Sequence, residues 1–362
     1  MFGFSLVENN VPRPAPAEVD GIEPLGFELL GAIHDRLHEP LQFQLSMPAA
    51  AADAAPVPTD LALAMDGPNA AAMLGLVSGG WVPVGLWKRD AVLMPDQQAI
   101  SAIRKHLHGR AAAAEAAPDF IDRLADETLR FNPTLFMIQG LRGRLPKTVA
   151  ELAEGYRQFQ ARIGDVLPKA QIFPAQAEAV QSAIGLLDQR RRTLEREKRF
   201  LLAAMPLLLA EAGKSRRLAL WQQLLGIAQQ HQVAPASQLF IAVLSATAAL
   251  PELNPARELL SPAKPYMERE AYAALAKLRA LDALSAAIAL HEQTQTVLLT
   301  QDRALALWWS GVKPYGQSRS GKVLNYRLKL DRQLFQRLDG EEWEQLTALI
   351  FQTPAATAKT AS

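Results

Sequence analysis

The sequence predicts an α/β protein in which a parallel sheet is flanked by helices and interrupted by a large helical insertion. Two strand–helix junctions and one long helix carry that expectation. The apolar run DAVLM leads through Pro95 into Asp96, and QQAISAIRKHLHGR follows at helical spacing. TVLLTQD is a second strand of the buried type, ending in Asp302 and followed at once by RALALWWSGV. Before it, EREAYAALAKLRALDALSAAIALHEQ reads as one long helix with an apolar face. Helix, strand and helix in that order form the sequence pattern of a parallel sheet.

The other elements follow along the chain. Residues 1–20 are rich in Pro, Asn and Ala and are expected to form an irregular arm. Residues 21–89 make an N-terminal accessory region. In it, Phe27, Leu30, Ile33 and Leu37 recur at helical spacing, and LQFQLSM alternates like a strand. PAAAADAAPVP at 48–58 reads as a linker, and DLALAM as a strand. GPNAAAMLGLVSGG is expected to be a helix with a Gly-Pro start and a Gly-Gly stop, and WVPVGLW a strand. The α/β domain proper is assigned to 90–315, with the helical insertion at about 150–260. FLLAAMPLLLA at 200–210 is too short to span a bilayer and reads as one buried helix. Residues 251–265 hold four prolines and read as a loop. Residues 316–352 form a basic C-terminal extension, and 353–362 a disordered Ala/Thr-rich tail.

Composition narrows the function classes. Hydrophobic residues make up 49% of the 362 and charged residues 21%, enough apolar material for a sizeable core. With 38 basic and 37 acidic residues, the whole-chain field does not advertise a polyanionic partner, although a local basic strip fits inside that balance. The lack of cysteine excludes disulfides, thiolate zinc sites and cysteine nucleophiles, and it fits a reducing cytoplasm. MFGFSLVENN lacks a basic segment followed by an apolar run, so it does not read as a signal peptide.

Functional side chains in parallel α/β sheets gather at the carboxyl ends of strands, and Asp96 and Asp302 are both placed there. Asp282 lies within the preceding helix, 20 residues before Asp302. The helix from 282 to about 291 runs roughly 15 Å, and a turn and a returning strand can bring Asp302 back beside it. Hard cations such as Mg²⁺ and Mn²⁺ take clustered carboxylate and water oxygens, so the three aspartates make a minimal candidate metal site.

LDALSAAIALHEQTQTVLLTQDRALALW resembles the C-terminal half of a PIN domain, in which an acid opens an Ala-rich helix and a strand ends in Thr-x-Asp. DAVLMPDQQAISAI is similar to that family's first strand and its terminal aspartate. The resemblance covers about 70 residues by motif. It implies a PIN-like fold and metal-dependent hydrolysis of RNA or DNA, with Asp96, Asp282 and Asp302 as metal ligands and Mg²⁺ or Mn²⁺ as cofactor. Thr300 would support the strand end. The family also expects an acid between the first aspartate and the last pair. In FNPTLFMIQGLRGR, the residue before the glycine turn is Gln139, which keeps a carbonyl oxygen but lacks the charge. A catalytically inactive binding or regulatory protein is therefore an alternative, as is a helical scaffold unrelated to the family.

Each residue also has a plainer explanation. Asp96 and Asp302 are both placed to cap the helices that follow them, and Asp282 can pair with Arg279 on a solvent face. His34 and His38 share a helix face without an evident third ligand, so an exposed face explains them. Arg190, Arg191, Arg192, Arg196, Lys198 and Arg199 are diluted by Asp188, Glu195 and Glu197 and fit a solvated helix face. Nucleic-acid contact is assigned instead to Lys313, Arg319, Lys322 and Arg327, among which Tyr315 and Tyr326 are interleaved. Protection of an exposed strand edge is the competing explanation for those cations.

Overall fold

A computed structural model of the chain describes residues 5–8, 11–14, 23–33, 40–45, 61–66, 72–88, 90–111, 121, 124, 125, 127–140, 145–210, 212–291, 293–320 and 323–351. The expected linker at 48–58, His34, Leu37, His38, Lys322 and the tail at 353–362 lie outside these residues. In chain order the strands and helices begin with β1 (Ser5–Glu8), β2 (Val11–Pro14), α1 (Phe27–Ile33), β3 (Pro40–Leu45) and β4 (Leu61–Asp66). They continue with β5 (Leu74–Val77), β6 (Gly80–Pro83), β7 (Val92–Pro95), α2 (Gln97–Ala111), β8 (Arg130–Phe131) and α3 (Thr134–Gln139). Next come α4 (Val149–Gly164), β9 (Gln171–Ile172), α5 (Gln176–Ala204), α6 (Lys214–Gln230), α7 (Gln238–Ala248) and α8 (Pro255–Leu260). The last are α9 (Glu268–Leu290), β10 (Thr296–Thr300), α10 (Arg303–Val312), β11 (Pro314–Ser320), β12 (Val323–Leu328) and α11 (Gly340–Phe351).

The protein is mixed α/β, and its chain divides into two compact units, Met1–Gly185 with Ala280–Lys329, and Leu186–Arg279 with Leu330–Ser362. The first unit holds a six-stranded sheet in the order β6-β5-β10-β7-β8-β9. Pairs β10–β7, β7–β8 and β8–β9 are parallel, while β6–β5 and β5–β10 are antiparallel. Every residue of β5, β7 and β10 is buried, as continuous apolar runs require when helices cover a sheet. From β7 the chain steps outward to β8 and β9. It then returns to lay β10 on the opposite side of β7. Strand order reverses between β7 and β10, which makes their carboxyl ends the topological switch point of the sheet.

Several expectations change at this level. The arm at 1–20 contains an antiparallel pair, Ser5–Glu8 with Val11–Pro14, in a four-stranded sheet of order β2-β1-β4-β3. In GPNAAAMLGLVSGG, LGLV is strand β5 rather than helix. A short apolar run bounded by turn residues has no period that separates the two, and pairing with β6 and β10 decides. The helical insertion begins later than about 150, because β9 at 171–172 is the third parallel strand of the sheet. GQSRS, in the expected basic extension, belongs to β11, and the expected loop at 251–265 holds the one-and-a-half-turn helix α8. FLLAAMPLLLA is broken at Pro206, where α5 gives way to a 3₁₀ turn over Met205–Leu208.

Close backbone approach fixes one glycine. Gly80 opens β6 beside Leu25, whose backbone exchanges hydrogen bonds with Trp81 at 2.8 and 3.1 Å. A Cβ at Gly80 would collide with the Leu25 carbonyl, a backbone atom that no rotamer change can move. Gly80→Ala is expected to lower stability by about 1–3 kcal/mol. A urea titration followed by tryptophan fluorescence checks this.

The second unit is helical among its described residues. Every residue of α7 is buried, which is the pattern of a helix surrounded on all sides. Phe200 of α5 meets Phe240 with ring centroids 6.1 Å apart, and the Trp221 indole N–H of α6 donates to Thr247 at 2.9 Å. Ser245 donates to the Leu334 carbonyl at 2.7 Å. At the start of α11, Asp339 accepts from the Glu342 N–H while Glu342 accepts from the Asp339 N–H, a reciprocal capping box. One turn of α6 docks on that box, with Lys214 paired to Asp339 and Arg217 to Glu342, each at 2.5 Å. No described helix is long and apolar enough to cross a membrane.

Candidate functional site

The switch point gathers four of the residues singled out by sequence. Asp96 follows β7, Thr300 ends β10, Asp302 precedes α10 and Gln139 ends α3. The Asp96 N–H donates to the Leu299 carbonyl at 3.0 Å, so the aspartate is tied to the neighbouring strand through its backbone. Its carboxylate accepts from the Ala99 N–H at 2.7 Å, capping the first turn of α2. Asp302 does the same for α10, accepting from the Leu305 N–H at 3.0 Å. The capping explanation therefore holds for both residues.

Thr300 links the two acids. Its hydroxyl oxygen accepts from the Asp302 N–H at 3.0 Å, and its side chain is hydrogen-bonded to Asp96. Asp96 is 7% exposed. Burial pushes its carboxyl above the usual range, and the neighbouring charge of Asp302 adds to that. The hydrogen bonds from Ala99, Thr300 and Gln98 act the other way and are outweighed. The protein thus holds an acid where ionisation is costly, an arrangement met more often at functional sites than elsewhere.

Gln139 lies on the same side. Its side-chain oxygen accepts from the Gln97 N–H at 3.2 Å, and the Gln97 amide donates to the Gly140 carbonyl at 2.9 Å. Gly140 takes a positive φ of 71°, which lets the chain turn away directly after α3. The neutral residue expected in place of an acid therefore serves as an acceptor at the helix start adjoining Asp96.

Asp282 sits differently. It accepts a hydrogen bond from the Tyr326 hydroxyl of β12 at 3.4 Å, and Arg279 pairs with Glu197 of α5. Among the described residues, no group of three or more His, Asp or Glu side chains is placed to hold a metal ion. Two of the three aspartates thus adjoin each other, and the third has a structural contact of its own.

An open groove runs from the switch point along α2, lined by Gln97, Gln98, Ser101, Lys105, His106 and Gln301 among others. Positions 97, 101 and 105 recur every four residues, so they share one helix face. Sequence reasoning gave His106 no role and did not consider the rest. The only local signal was this spacing after a strand-terminal aspartate, and it acquires meaning once Gln301 is brought across from β10. Of the four cations assigned to nucleic acid, Lys313 directly precedes β11 and Arg327 lies within β12, while the side chain of Arg319 lies outside the described residues. No protein-family model, curated protein or solved structure matches this chain.

Proposed function

We propose that the chain is a PIN-like protein that hydrolyses RNA or DNA phosphodiester bonds at the crevice beyond β7 and β10. One observation carries the reading. Two aspartates end neighbouring parallel strands where the strand order reverses, and a threonine hydrogen-bonds to both.

The donor set fits a hard divalent cation. Mg²⁺ is commonly held by one or two carboxylates with the rest of its shell from water and substrate phosphate. A dication between Asp96 and Asp302 would offset both the burial and the mutual repulsion that oppose ionisation of Asp96. When bound, Mg²⁺ or Mn²⁺ supplies an acidified water and stabilises charge developing on the phosphate. Thr300 ties the Asp96 carboxylate to the backbone of Asp302. Lys105 and His106 stand in the adjoining groove, where a phosphate backbone would find positive charge. The reading does not need Asp282 as a ligand. The cysteine-free composition fits action in the cytoplasm.

A second reading, a PIN-like protein that binds without cleaving, draws on Gln139 and on the two-acid site. Cleavage of a labelled oligonucleotide with Mn²⁺ separates the two. The enzyme reading expects a rate that Asp302→Asn lowers by about 100-fold or more, on the scale of losing a charge-stabilising group, and that Gln139→Glu raises. A parent chain that cleaves no faster than Asp302→Asn ends the enzyme reading. If Gln139→Glu then gains activity, the site is a decayed one.

A further inference from the structure

The ribbon of β11 and β12 has two faces of different chemistry. Along 325–329, Asn325, Arg327 and Lys329 are exposed while Tyr326 and Leu328 are half-buried, the alternation of a strand with one face on the protein. The register pairs Tyr315 with Arg327 and Ser318 with Asn325. Gly316 and Gln317 form a bulge between those pairs, and Gly316 takes the positive φ of 61° that the bulge demands. Pro314 is buried, and Tyr326 is anchored to Asp282 of α9. Tyr315, Ser318, Asn325 and Arg327 therefore share the outward face, with Lys329 at its end.

We infer that this outward face binds single-stranded nucleic acid, with Tyr315 stacking on a base and Arg327 and Lys329 meeting the phosphates on either side of it. The inference rests on the reading of the chain as a nucleic-acid protein and adds the strandedness and the contact face. Tyr315 is 48% exposed, and guarding a strand edge accounts for the cations but gives no reason for an outward tyrosine. Arg327 is the cross-strand partner of Tyr315, and the side chains of such partners start about 5 Å apart on one face. The described outward positions carry two cations and no acid, which complements a polyanion. Ser318 and Asn325 add hydrogen-bonding groups at base height. A duplex keeps its base faces internal and offers Tyr315 nothing to stack on, whereas every unpaired base has a π-face. In this arrangement the Tyr326–Asp282 bond makes both residues positioning groups, since it holds the inner face down and leaves the outer face free.

The test is fluorescence anisotropy with a labelled oligouridine and with a blunt RNA duplex, in EDTA so that cleavage cannot occur. The full chain is expected to prefer the single strand. Tyr315→Ala should weaken its binding about tenfold and Tyr315→Phe should restore it, since phenylalanine keeps the stacking face. Arg327→Glu should weaken binding and flatten its salt dependence by about one phosphate contact. Equal affinity for strand and duplex, Tyr315→Ala binding like the parent, or displacement by polyglutamate as readily as by RNA would each overturn the inference. Because no metal is present, a failed cleavage assay leaves this result standing. Cleavage with binding indifferent to Tyr315 sinks this inference alone.

Discussion

Arg217→Ala is expected to destabilise the protein by about 3–5 kcal/mol, the cost of leaving one member of a buried ion pair without its partner. The side chains of Arg217 and Glu342 are only 3% and 10% exposed. Glu342 also closes the capping box of α11, so its carboxylate cannot swing out to water without releasing the helix start. Glu342→Gln also leaves the Arg217 guanidinium without its counter-charge, but it should cost less, because the amide oxygen still accepts hydrogen bonds from Arg217 and the Asp339 N–H. Lys214→Ala should cost far less than Arg217→Ala, since its pair with Asp339 is solvent-exposed and screened. Urea titrations of the three variants give the order directly. A Lys214 effect equal to that of Arg217 would show that burial is not what gives the pair its weight.

Asp96→Asn is expected to melt at a higher temperature than the parent at pH 7. Burial raises the folded-state pKa of Asp96 above its unfolded value, so the group favours folding fully only below the unfolded pKa. That contribution is lost as pH rises through the raised folded pKa, where burial and the charge of Asp302 oppose ionisation. Asparagine caps α2 as well as aspartate does, so the substitution removes the charge and keeps the bond from Ala99. Melting curves from about pH 4 to pH 8 should show a gap between variant and parent that widens upward. Millimolar Mn²⁺ should raise the parent Tm and leave Asp96→Asn unmoved, because the cation binds the ionised form. A variant less stable than the parent at every pH would show that the carboxylate is held at no cost.

Strand β7, strand β10 and the helices after them were legible because each combines an apolar run with a sharp boundary, Pro95–Asp96 in one case and Thr300–Asp302 in the other. The long helices declared themselves by period. Strands β8 and β9 did not, because two residues have no period. The bonds that Gln171 and Phe173 donate to Leu129 and Phe131, and that Asn132 donates to Leu93, identify them. LGLV was ambiguous for a related reason, and the partners that settle it are distant in sequence. At the site, the strand ends announced Asp96 and Asp302, and the glycine after it marked Gln139. The bond that Asp282 accepts from Tyr326 was not legible, because Tyr326 is 44 residues further on, in a strand whose pairing no local pattern reveals. The network of Arg217 and Glu342 was invisible for the same cause, its members lying 125 residues apart.

The position of β10 has a consequence for the newly made chain. It lies between β5 and β7, yet it is the last strand of that sheet to be synthesised. Until residue 300 leaves the ribosome, the β5–β6 hairpin and the β7–β9 strands have no hydrogen-bonded connection, and each shows an unpaired apolar edge. The residues 186–279 emerge during that interval. The nascent protein must therefore keep two sticky half-sheets apart while nearly a hundred residues of helix are made, and chaperone dependence should be concentrated in that window.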